Sequence, residues 1–314
     1  MRILKRILIG ISMVILAAYL GLIAYAYWPT GLEEVPARSL AGPNDQFIAV
    51  NGLELRYRIF GEAVPGKPSL VLIHGFANSL QSFRKLAPLL QDHYHVVTLD
   101  LPGFGLSAKP VDYTYTNANQ ARTVGALIRK LGLEKVIIGG HSLGGAIAVH
   151  IAVKEPGIAG LVLINPGIIT TGVPAITQYL PFPFQRLSAK QFGDRAFREQ
   201  FLKLSFIRPE VVTDEVMDSL MLATRSEGFL SGSTAMMGYY EGATEYKLLK
   251  DLRVPTLILW GARDRNKTPA ELAQLRAGIR NHRVVEVADS GHYVHEEGAI
   301  ESADGLIRNL DLWE

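Results

Sequence analysis

Short apolar runs that alternate with helix-length segments constrain the fold of this 314-residue chain more than any other feature. The runs are uninterrupted, as is typical of strands buried on both faces of a sheet, and the segments between them are long enough to be crossover helices. Before the runs, residues 47–60 alternate around a turn at Asn51-Gly52, which predicts a β-hairpin. The sequence therefore predicts an α/β fold, with a mostly parallel, twisted sheet flanked by helices. The apolar runs cover residues 70–73, 95–99, 135–138, 161–164, 256–260 and 284–287, and the strand that contains the run at 135–138 is predicted to end near Gly140.

This strand pattern is interrupted between Gly167 and Asp251, where no convincing strand is found. The segments "YLPFPFQRL", "FREQFLKLSF" and "MDSLMLATR" have the spacing of amphipathic helices. We predict a helical cap at residues 167–251, inserted between two strands of an α/β domain that comprises residues 46–166 and 252–314. The alternative is a set of ordinary surface helices that do not control access to a site.

The N-terminal segment differs from the rest of the chain in its lack of charge: the 22 residues from 7 to 28 include no charged side chain. As a helix they would extend about 33 Å, enough to cross a hydrocarbon layer of about 30 Å. Arg2, Lys5 and Arg6 precede the segment, and aromatic residues crowd its second half. We predict a single-pass transmembrane signal-anchor at residues 1–29 and a stalk at residues 30–45, with the N-terminus cytoplasmic and the catalytic domain on the extracytoplasmic side. A signal peptide cleaved near residues 24–26 is the main alternative, and a buried core helix is the other.

Residues 140–144, Gly-His-Ser-Leu-Gly, lie between an apolar β-prone run and a helical run of small residues. A serine on so tight a strand-to-helix turn is held in a strained backbone conformation, with its hydroxyl pushed beyond the sheet. The backbone approaches itself closely on either side of the serine, which explains why Gly140 and Gly144 lack side chains. The helix that follows provides free N–H groups where acyl transfer develops negative charge. We therefore predict Ser142 as a nucleophile, with a glycine-rich packing turn as the alternative.

A serine nucleophile needs a base, and the base needs an orienting carboxylate. His292 and Asp264 each lie on a turn just past a predicted strand, where sites form in parallel sheets. We predict His292 as the base and Asp264 as the acid. His295 remains an alternative base, and Asp251 or Asp289 an alternative acid.

An oxyanion hole is the third requirement of acyl transfer. The strand in "LVLIHGFANS" ends at His74-Gly75, so the backbone N–H groups beyond it should face the serine turn. We assign the oxyanion donors to the N–H groups of Phe76 and Leu143, and each such donor is worth about 3 kcal/mol of transition-state stabilisation. We expect His74 to brace this loop by hydrogen bonding and not to bind a metal.

The composition of the chain and the spacing of its potential metal ligands exclude several other kinds of function. A net charge of +2 gives no basic footprint for nucleic acid. The chain has no cysteine, which excludes disulfides, thiolate metal sites and a cysteine nucleophile. No HExxH or other metal-binding spacing is present, so we predict neither a metal nor a cofactor. The sequence leaves the oligomeric state open.

Together these motifs resemble those of the α/β-hydrolase superfamily and follow the family's order. They are "HGF", "DLPGFGLS", "GHSLG", "WGARD" and "GHYVHEE", and the resemblance extends from residue 47 to residue 310. It implies the α/β-hydrolase fold, with Ser142, Asp264 and His292 as the catalytic triad and Phe76 and Leu143 as the oxyanion donors. Serine at the turn separates the chain from the dehalogenases and epoxide hydrolases of this fold, which use aspartate there.

Within the superfamily, "GHSLGG" resembles lipases and carboxylesterases, and an anchor before such a domain is similar to membrane-anchored monoacylglycerol lipase-like members. The resemblance implies a serine hydrolase that cleaves carboxylic esters, with a lipid-like ester as the small-molecule substrate. One departure is that Gly298-Ala299 follow Glu297, where the family often has a proline. The same triad alternatively serves hydrolysis of thioesters or carbon–carbon bonds, or perhydrolysis, and a non-catalytic binding module is a further alternative.

Overall fold

An eight-stranded sheet organises the protein in the computed structural model, which describes residues 2–31, 33–171, 179–239, 241 and 243–314. The strands are β1 (Gln46–Val50), β2 (Leu53–Phe60), β3 (Ser69–Ile73), β4 (His95–Leu99), β5 (Val136–His141), β6 (Ile158–Ile164), β7 (Thr256–Gly261) and β8 (His282–Val287). Across the sheet they follow the order β1-β2-β4-β3-β5-β6-β7-β8. β1 with β2 and β2 with β4 pair antiparallel, whereas all pairs from β4 to β8 are parallel. The predicted hairpin and the predicted mostly parallel sheet are both confirmed.

Helices connect the parallel strands and fill the predicted insertion. They are α1 (Arg2–Tyr27), α2 (Leu86–Leu90), α3 (Asn117–Lys130), α4 (Leu143–Lys154), α5 (Phe184–Phe192), α6 (Arg195–Ser205), α7 (Asp214–Arg225), α8 (Phe229–Met237), α9 (Pro269–Gly278), α10 (Val294–Glu297) and α11 (Ala299–Arg308). The four helices α5 to α8 all lie between β6 and β7 in the chain. The prediction that a helical insertion separates two strands is therefore confirmed. Residues 172–178, 240 and 242 of the predicted cap lie outside the described residues, and the exact domain boundaries stay a prediction.

Both faces of the sheet are buried, which accounts for the uninterrupted apolar runs. Along β3, Val71 and Ile73 join a core cluster with α3, α4 and α9, while Leu70 and Leu72 join a second cluster with α2 and α11. Successive side chains of a strand point to opposite faces, so a strand covered by helices on both sides has no polar positions to alternate. This arrangement leaves the ends of the strands as the places where polar side chains gather.

β5 is longer than its apolar run predicts. The apolar run ends at residue 138, but the strand continues through Gly139 and Gly140 to His141, close to the predicted end near Gly140. Gly139 pairs with Leu72 of β3 on one side and with Val162 of β6 on the other. Glycine has a low intrinsic preference for strands, so only pairing with both neighbours extends the strand to the serine turn.

The segment predicted as a stalk packs against the body of the protein. The carboxylate of Glu34 accepts hydrogen bonds from the backbone N–H groups of Gly228 (2.8 Å) and Leu230 (3.4 Å) at the start of α8. Negative charge is favoured there by the helix dipole. Val35 forms a parallel bridge with Ser226, directly before α8. These contacts hold the segment against the insertion.

α1 lies apart from the core. It is 26 residues long and apolar enough to cross a membrane, and the apolar stretch is not buried by the rest of the protein. Its last turn is different, because Ala26 is fully buried and the turn contacts α5. α1 therefore contacts the insertion while most of its length stays free of the protein.

Candidate active site

Ser142 occupies the tight turn between β5 and α4. Its backbone has φ of 51° and ψ of −115°, a region that non-glycine residues rarely adopt. The Ser142 N–H donates to the carbonyl of Ile164 (3.1 Å), and the Ser142 carbonyl accepts from the N–H of Gly167 (2.8 Å). These two bonds to the end of β6 and the loop after it hold the serine in its unfavourable conformation.

Close backbone approaches explain the glycines around this turn. A Cβ atom on Gly140 would lie 2.1 Å from the carbonyl oxygen of Gly144, and one on Gly144 would lie 2.2 Å from the carbonyl oxygen of Ile73. A Cβ atom on Gly75 would lie 3.2 Å from Cβ of Ser142. The absence of side chains therefore lets the loop after β3 pack directly against the serine.

His292 and Asp264 meet beyond the ends of β8 and β7. Nδ1 of His292 and Oδ2 of Asp264 are 2.7 Å apart, and the aspartate side chain is fully buried. The Asn165 amide also donates to Oδ2, and the backbone N–H of Asn266 donates to Oδ1 at 2.7 Å. Burial opposes ionisation of Asp264, but the hydrogen bond and charge of His292, together with the other two bonds, outweigh burial and lower the pKa of Asp264. The ionised carboxylate favours the His292 tautomer that is protonated at Nδ1, which leaves Nε2 free to accept a proton.

The alternative acid and base residues do not join this pair. The ring of His295 packs 4.5 Å from that of His141, and neither of its nitrogens has a hydrogen-bond partner among the described residues. Burial lowers the pKa of His295 to about 3. Asp289 is exposed beside Arg263, 3.7 Å away, and Asp251 is exposed at the end of a 3₁₀ helix.

His141 links the serine turn to the histidine loop. Its Nε2–H donates to the carbonyl of His292 at 2.9 Å, and the two ring centroids are 4.7 Å apart. Burial holds the pKa of His141 well below its usual value, so the ring is neutral. Because His141 directly precedes Ser142, this bond sets the spacing between the serine and the loop of His292.

The loop after β3 is fixed by His74. Its Nε2 accepts from the N–H of Leu101 (3.1 Å), so the proton lies on Nδ1, which donates to the carbonyl of Gly75 (2.7 Å). Burial lowers the pKa of His74, which keeps the ring in this neutral state. Within the described part of the chain, the backbone N–H groups of Phe76 and Leu143 form no hydrogen bond. Both donors are therefore available to a ligand.

Arg198 on α6 reaches the same loop, a contact that no sequence pattern predicted. The side chain is buried, and Nη2 donates to the carbonyl of Ala77 at 2.8 Å. Burial lowers the pKa of Arg198 to about 10, so it remains charged at neutral pH. Just after α6, the ring of Phe206 stacks on Tyr293, with centroids 4.4 Å apart. Both contacts attach the insertion to loops that border the site.

Glu297 forms a second set of contacts between the insertion and the site. Its Oε1 accepts from the backbone N–H groups of Ile207 and Arg208, each at 2.8 Å. Its Oε2 accepts from the N–H of Gly291, also at 2.8 Å, directly before His292. Local patterns cannot reveal these contacts, because the insertion partners lie 90 and 89 positions from Glu297.

No group of three or more His, Cys, Asp or Glu side chains that could hold a metal ion occurs among the residues described. The polar groups around Ser142 form hydrogen bonds with each other. Asp264 pairs with the ring of His292, and the ring of His141 donates to the His292 carbonyl. The arrangement can thus activate a hydroxyl and receive negative charge at two backbone donors.

Comparisons with known proteins agree with this geometry. The family model of the alpha/beta hydrolase fold matches residues 68–299. The uncharacterized hydrolase YugF of Bacillus subtilis is 30% identical over 253 residues, which cover 80% of this chain and 92% of that protein. Lipase 1 of Psychrobacter immobilis is 28% identical over 278 residues, which cover 86% of this chain and 82% of the lipase.

One solved structure is similar to this chain over nearly its full length. The crystal structure of a membrane phospholipase A, a bacterial virulence factor, aligns with a TM-score of 0.68 and 26% identity and covers 98% of this chain and 99% of that chain. The alignment is therefore long enough to include α1 as well as the sheet and the insertion. Given the match of the family model across most of the sheet and the whole insertion, the chain belongs to the α/β-hydrolase family.

Proposed function

We propose that this chain is a membrane-anchored serine hydrolase that cleaves carboxylic esters of lipid-like molecules, with Ser142, His292 and Asp264 as its catalytic triad. Ester hydrolysis describes the enzyme in general terms; the residue roles and the substrate are the proposal. The observation that carries it is the 2.7 Å contact between His292 and a buried Asp264, next to a loop that packs on the strained Ser142. Strained backbone of this kind persists where the surrounding structure holds it for a function.

The mechanism that follows is a two-step acyl transfer. Ser142 Oγ attacks the ester carbonyl carbon while His292 Nε2 takes the hydroxyl proton, and the backbone N–H groups of Phe76 and Leu143 stabilise the oxyanion. The tetrahedral intermediate collapses, the ester C–O bond breaks, and the alcohol leaves with the proton from His292. Water then attacks the acyl-enzyme with His292 as base, which releases the acid and restores Ser142. Asp264 keeps the imidazole in the required tautomer and stabilises its charged form.

A lipid-like substrate is supported by the surroundings of the site. Residues 167–251 are proposed to act as the cap that shapes the pocket, and Phe192 of α5 packs against Phe76 at 5.3 Å between ring centroids. One relative is a lipase and one structural neighbour is a membrane phospholipase A, which supports an acyl ester held in a membrane. We propose monoacylglycerol or a similar single-chain lipid ester as the substrate.

Retention of α1 as the membrane anchor is supported by its contacts with α5. Arg186 Nε donates to the carbonyl of Ala26 (3.0 Å), and Lys190 Nζ donates to those of Tyr25 (2.8 Å) and Trp28 (2.9 Å). Cleavage after residue 26 would remove the contacts to Tyr25 and Ala26. The basic residues before the apolar stretch favour a cytoplasmic N-terminus, with the catalytic domain on the other side of the membrane.

The test is activity-based labelling of the detergent-solubilised full chain and its Ser142→Ala variant with a fluorophosphonate probe. We expect labelling and ester turnover in the wild type and neither in the variant. Assays with p-nitrophenyl esters of increasing chain length, monoacylglycerols and phospholipids then define the substrate. Labelling that survives in the variant would show that the nucleophile is misassigned.

Matched substrate panels separate the other reactions that this triad can perform. Faster turnover of acyl-CoA thioesters or of diketones than of any ester would replace ester hydrolysis by thioester or carbon–carbon bond cleavage. Faster turnover of short, water-soluble esters than of monoacylglycerols would contradict the lipid substrate while leaving the triad in place. A folded protein that no serine-directed probe labels would indicate a binding module.

A further inference from the structure

An apolar segment of the insertion is exposed beside the membrane helix. Residues 179–184 read Tyr-Leu-Pro-Phe-Pro-Phe and include no charged or amide side chain. Tyr179 is 74% exposed and Phe182 is 49% exposed, although both are large hydrophobic residues. Contiguous exposed apolar surface of this kind marks a site of interaction with a protein or a membrane.

The segment lies alongside the last two turns of α1, on the amino-terminal side of the end of that helix. The hydroxyl of Tyr19 donates to the carbonyl of Phe182, and the ring of Phe182 lies 6.1 Å from that of Tyr27. Tyr19 and Tyr27 are separated by about 12 Å along a helix that rises ~1.5 Å per residue. Phe182 therefore lies at the level of the last two turns of α1, which belong to its apolar stretch.

α5 follows the segment and packs against the end of α1. Arg186 and Lys190 bind backbone carbonyls in the last turn of α1 and the carbonyl of Trp28, directly after it. The Arg186 guanidinium lies 4.4 Å from the ring centroid of Tyr27, and Lys190 Nζ lies 4.4 Å from that of Tyr25. The order along the chain is thus an apolar segment beside α1, followed in α5 by basic side chains at the end of α1.

This order matches the layers of a bilayer. Tyr and Trp collect at the membrane–water interface, and Lys and Arg extend towards the headgroups. Tyr25, Tyr27 and Trp28 are 55% exposed or more, so the apolar surface of residues 179–184 is continuous with exposed aromatic surface of α1. If α1 crosses a membrane, the same lipid layer must reach Phe182, because Phe182 lies beside the spanning helix.

We propose that residues 179–184 dock in the membrane–water interface of the bilayer that α1 crosses, so that the start of α5 is a second membrane contact of the insertion. The inference rests on the proposed membrane anchor. The partner is the lipid bilayer itself, because the segment is continuous with the membrane helix and has the apolar-to-basic order of an interfacial element. α1 and α5 together then orient the insertion towards the lipid.

The absence of cysteine from the chain makes a direct test possible, since every introduced cysteine is unique. Full-length Tyr179→Cys and Phe182→Cys variants would be labelled with an environment-sensitive fluorophore and reconstituted in phosphatidylcholine–phosphatidylglycerol vesicles. Matched controls are Leu204→Cys and Val111→Cys, at residues 64% and 63% exposed but away from α1. Ile15→Cys reports on insertion of α1 itself. Each labelled variant is used only if its thermal unfolding matches that of the unlabelled wild type.

The expected result is several-fold stronger quenching of the labels at 179 and 182 by lipids with a headgroup-proximal nitroxide than of those at 204 and 111. Aqueous iodide should quench the labels at 204 and 111 more strongly than those at 179 and 182. Labels at 179 and 182 that behave like the controls, while the label at 15 reports hydrocarbon, would overturn the docking and leave the anchor intact. A label at 15 that also reports water would remove the anchor and the docking together. Protection from both quenchers at 179 and 182 would mean that a protein, such as a second copy of this chain, covers the segment.

Discussion

Glu297 shows how a single carboxylate can couple the insertion to the histidine loop. It accepts three backbone hydrogen bonds, two from the segment after α6 and one from Gly291. Hydrogen bonds to a charged group are worth about 1.5–3 kcal/mol each, more than those between neutral groups. We infer that Glu297 positions His292 through its neighbour Gly291.

Replacing Glu297 by Gln tests this positioning role. An amide has one acceptor oxygen, so it cannot accept hydrogen bonds from both the segment after α6 and Gly291. Its NH₂ group, which only donates, would face one of these backbone N–H groups. We expect kcat for a soluble ester to fall about 10-fold or more, equivalent to ~1.4 kcal/mol, with a smaller change in KM. The acid limb of the pH profile of kcat/KM should also shift, and Glu297→Asp should restore part of kcat. A purely structural role would lower the unfolding temperature and leave kcat and the pH profile unchanged.

His295 provides a prediction about the pH dependence of stability. Its pKa is lowered to about 3 in the folded state by burial, whereas in the unfolded chain it is near the ordinary histidine value of 6.5. The folded state therefore binds fewer protons, so stability is complete above pH 6.5 and falls as the pH decreases through the window from 6.5 to about 3.

The variant His295→Leu removes this titration from the core. The free energy of unfolding of the variant relative to the wild type should rise by about 2–3 kcal/mol between pH 7.5 and pH 4.5, at ~1.4 kcal/mol per pH unit. His141, His292 and Arg84 face His295 and remain in both proteins, so the comparison isolates one group. Chemical denaturation in detergent at both pH values measures it. A difference that does not depend on pH would show that His295 is not neutral in the folded state.

At the scale of elements, α6 connects the insertion to the loop after β3. Arg198 of this helix holds the carbonyl of Ala77, next to the proposed donor Phe76. Ala77 itself has a positive φ of 54°, so the loop needs external support to keep its conformation.

Arg198→Met should therefore disturb the oxyanion loop. The variant leaves the Ala77 carbonyl buried without a partner, which costs about 1–3 kcal/mol. We expect kcat to fall by about 10- to 100-fold with KM for a short ester nearly unchanged, as for an interaction that acts in the transition state. Arg198→Lys is the matched control and should recover part of kcat. An unchanged kcat with a reduced melting temperature would limit Arg198 to a packing role.

The sequence predicted the elements well where local pattern determines them. Residues 95–99 form the predicted strand without change, because an uninterrupted apolar run is buried on both faces. The apolar run of β5 stops before the strand does, since Gly139 gains its strand conformation from neighbours on both sides. The pairing of His292 with Asp264 could be anticipated from two strand ends, whereas the contacts of Arg198 and Glu297 could not. These contacts depend on how α6 packs over the sheet, and no local sequence pattern predicts that packing.

At the scale of the whole molecule, the proposed membrane anchor α1 is separate from the proposed catalytic residues. Its contacts with the rest of the protein involve α5, and the serine turn and histidine loop lie on the sheet. A protein that begins at residue 30 should therefore retain turnover of soluble p-nitrophenyl esters close to that of the full chain. It should sediment with vesicles much less than the full chain, because only the proposed contact of residues 179–184 remains, and it should lose most of its turnover of vesicle-embedded monoacylglycerol.

Parallel assays of the truncated and full-length proteins on the two substrates check this prediction. The full chain in detergent micelles serves as the control for the loss of bilayer. Equal loss of activity on both substrates would mean that α1 is needed for the fold of the insertion. Unchanged sedimentation would mean that another surface binds the membrane.

The register between β6 and β7 has an evolutionary consequence. Leu161 lies directly opposite Thr256, although the chain between β6 and β7 carries four helices. The insertion thus leaves and re-enters the sheet at adjacent strands, and Ser142, Asp264 and His292 all lie outside it. Recombination could therefore exchange the whole stretch between relatives without changing strand pairing, and the three proposed catalytic residues would be inherited intact. A grafted insertion would have to supply new partners for the groups that the present one contacts, among them the Ala77 carbonyl, the Glu297 carboxylate and the ring of Tyr293.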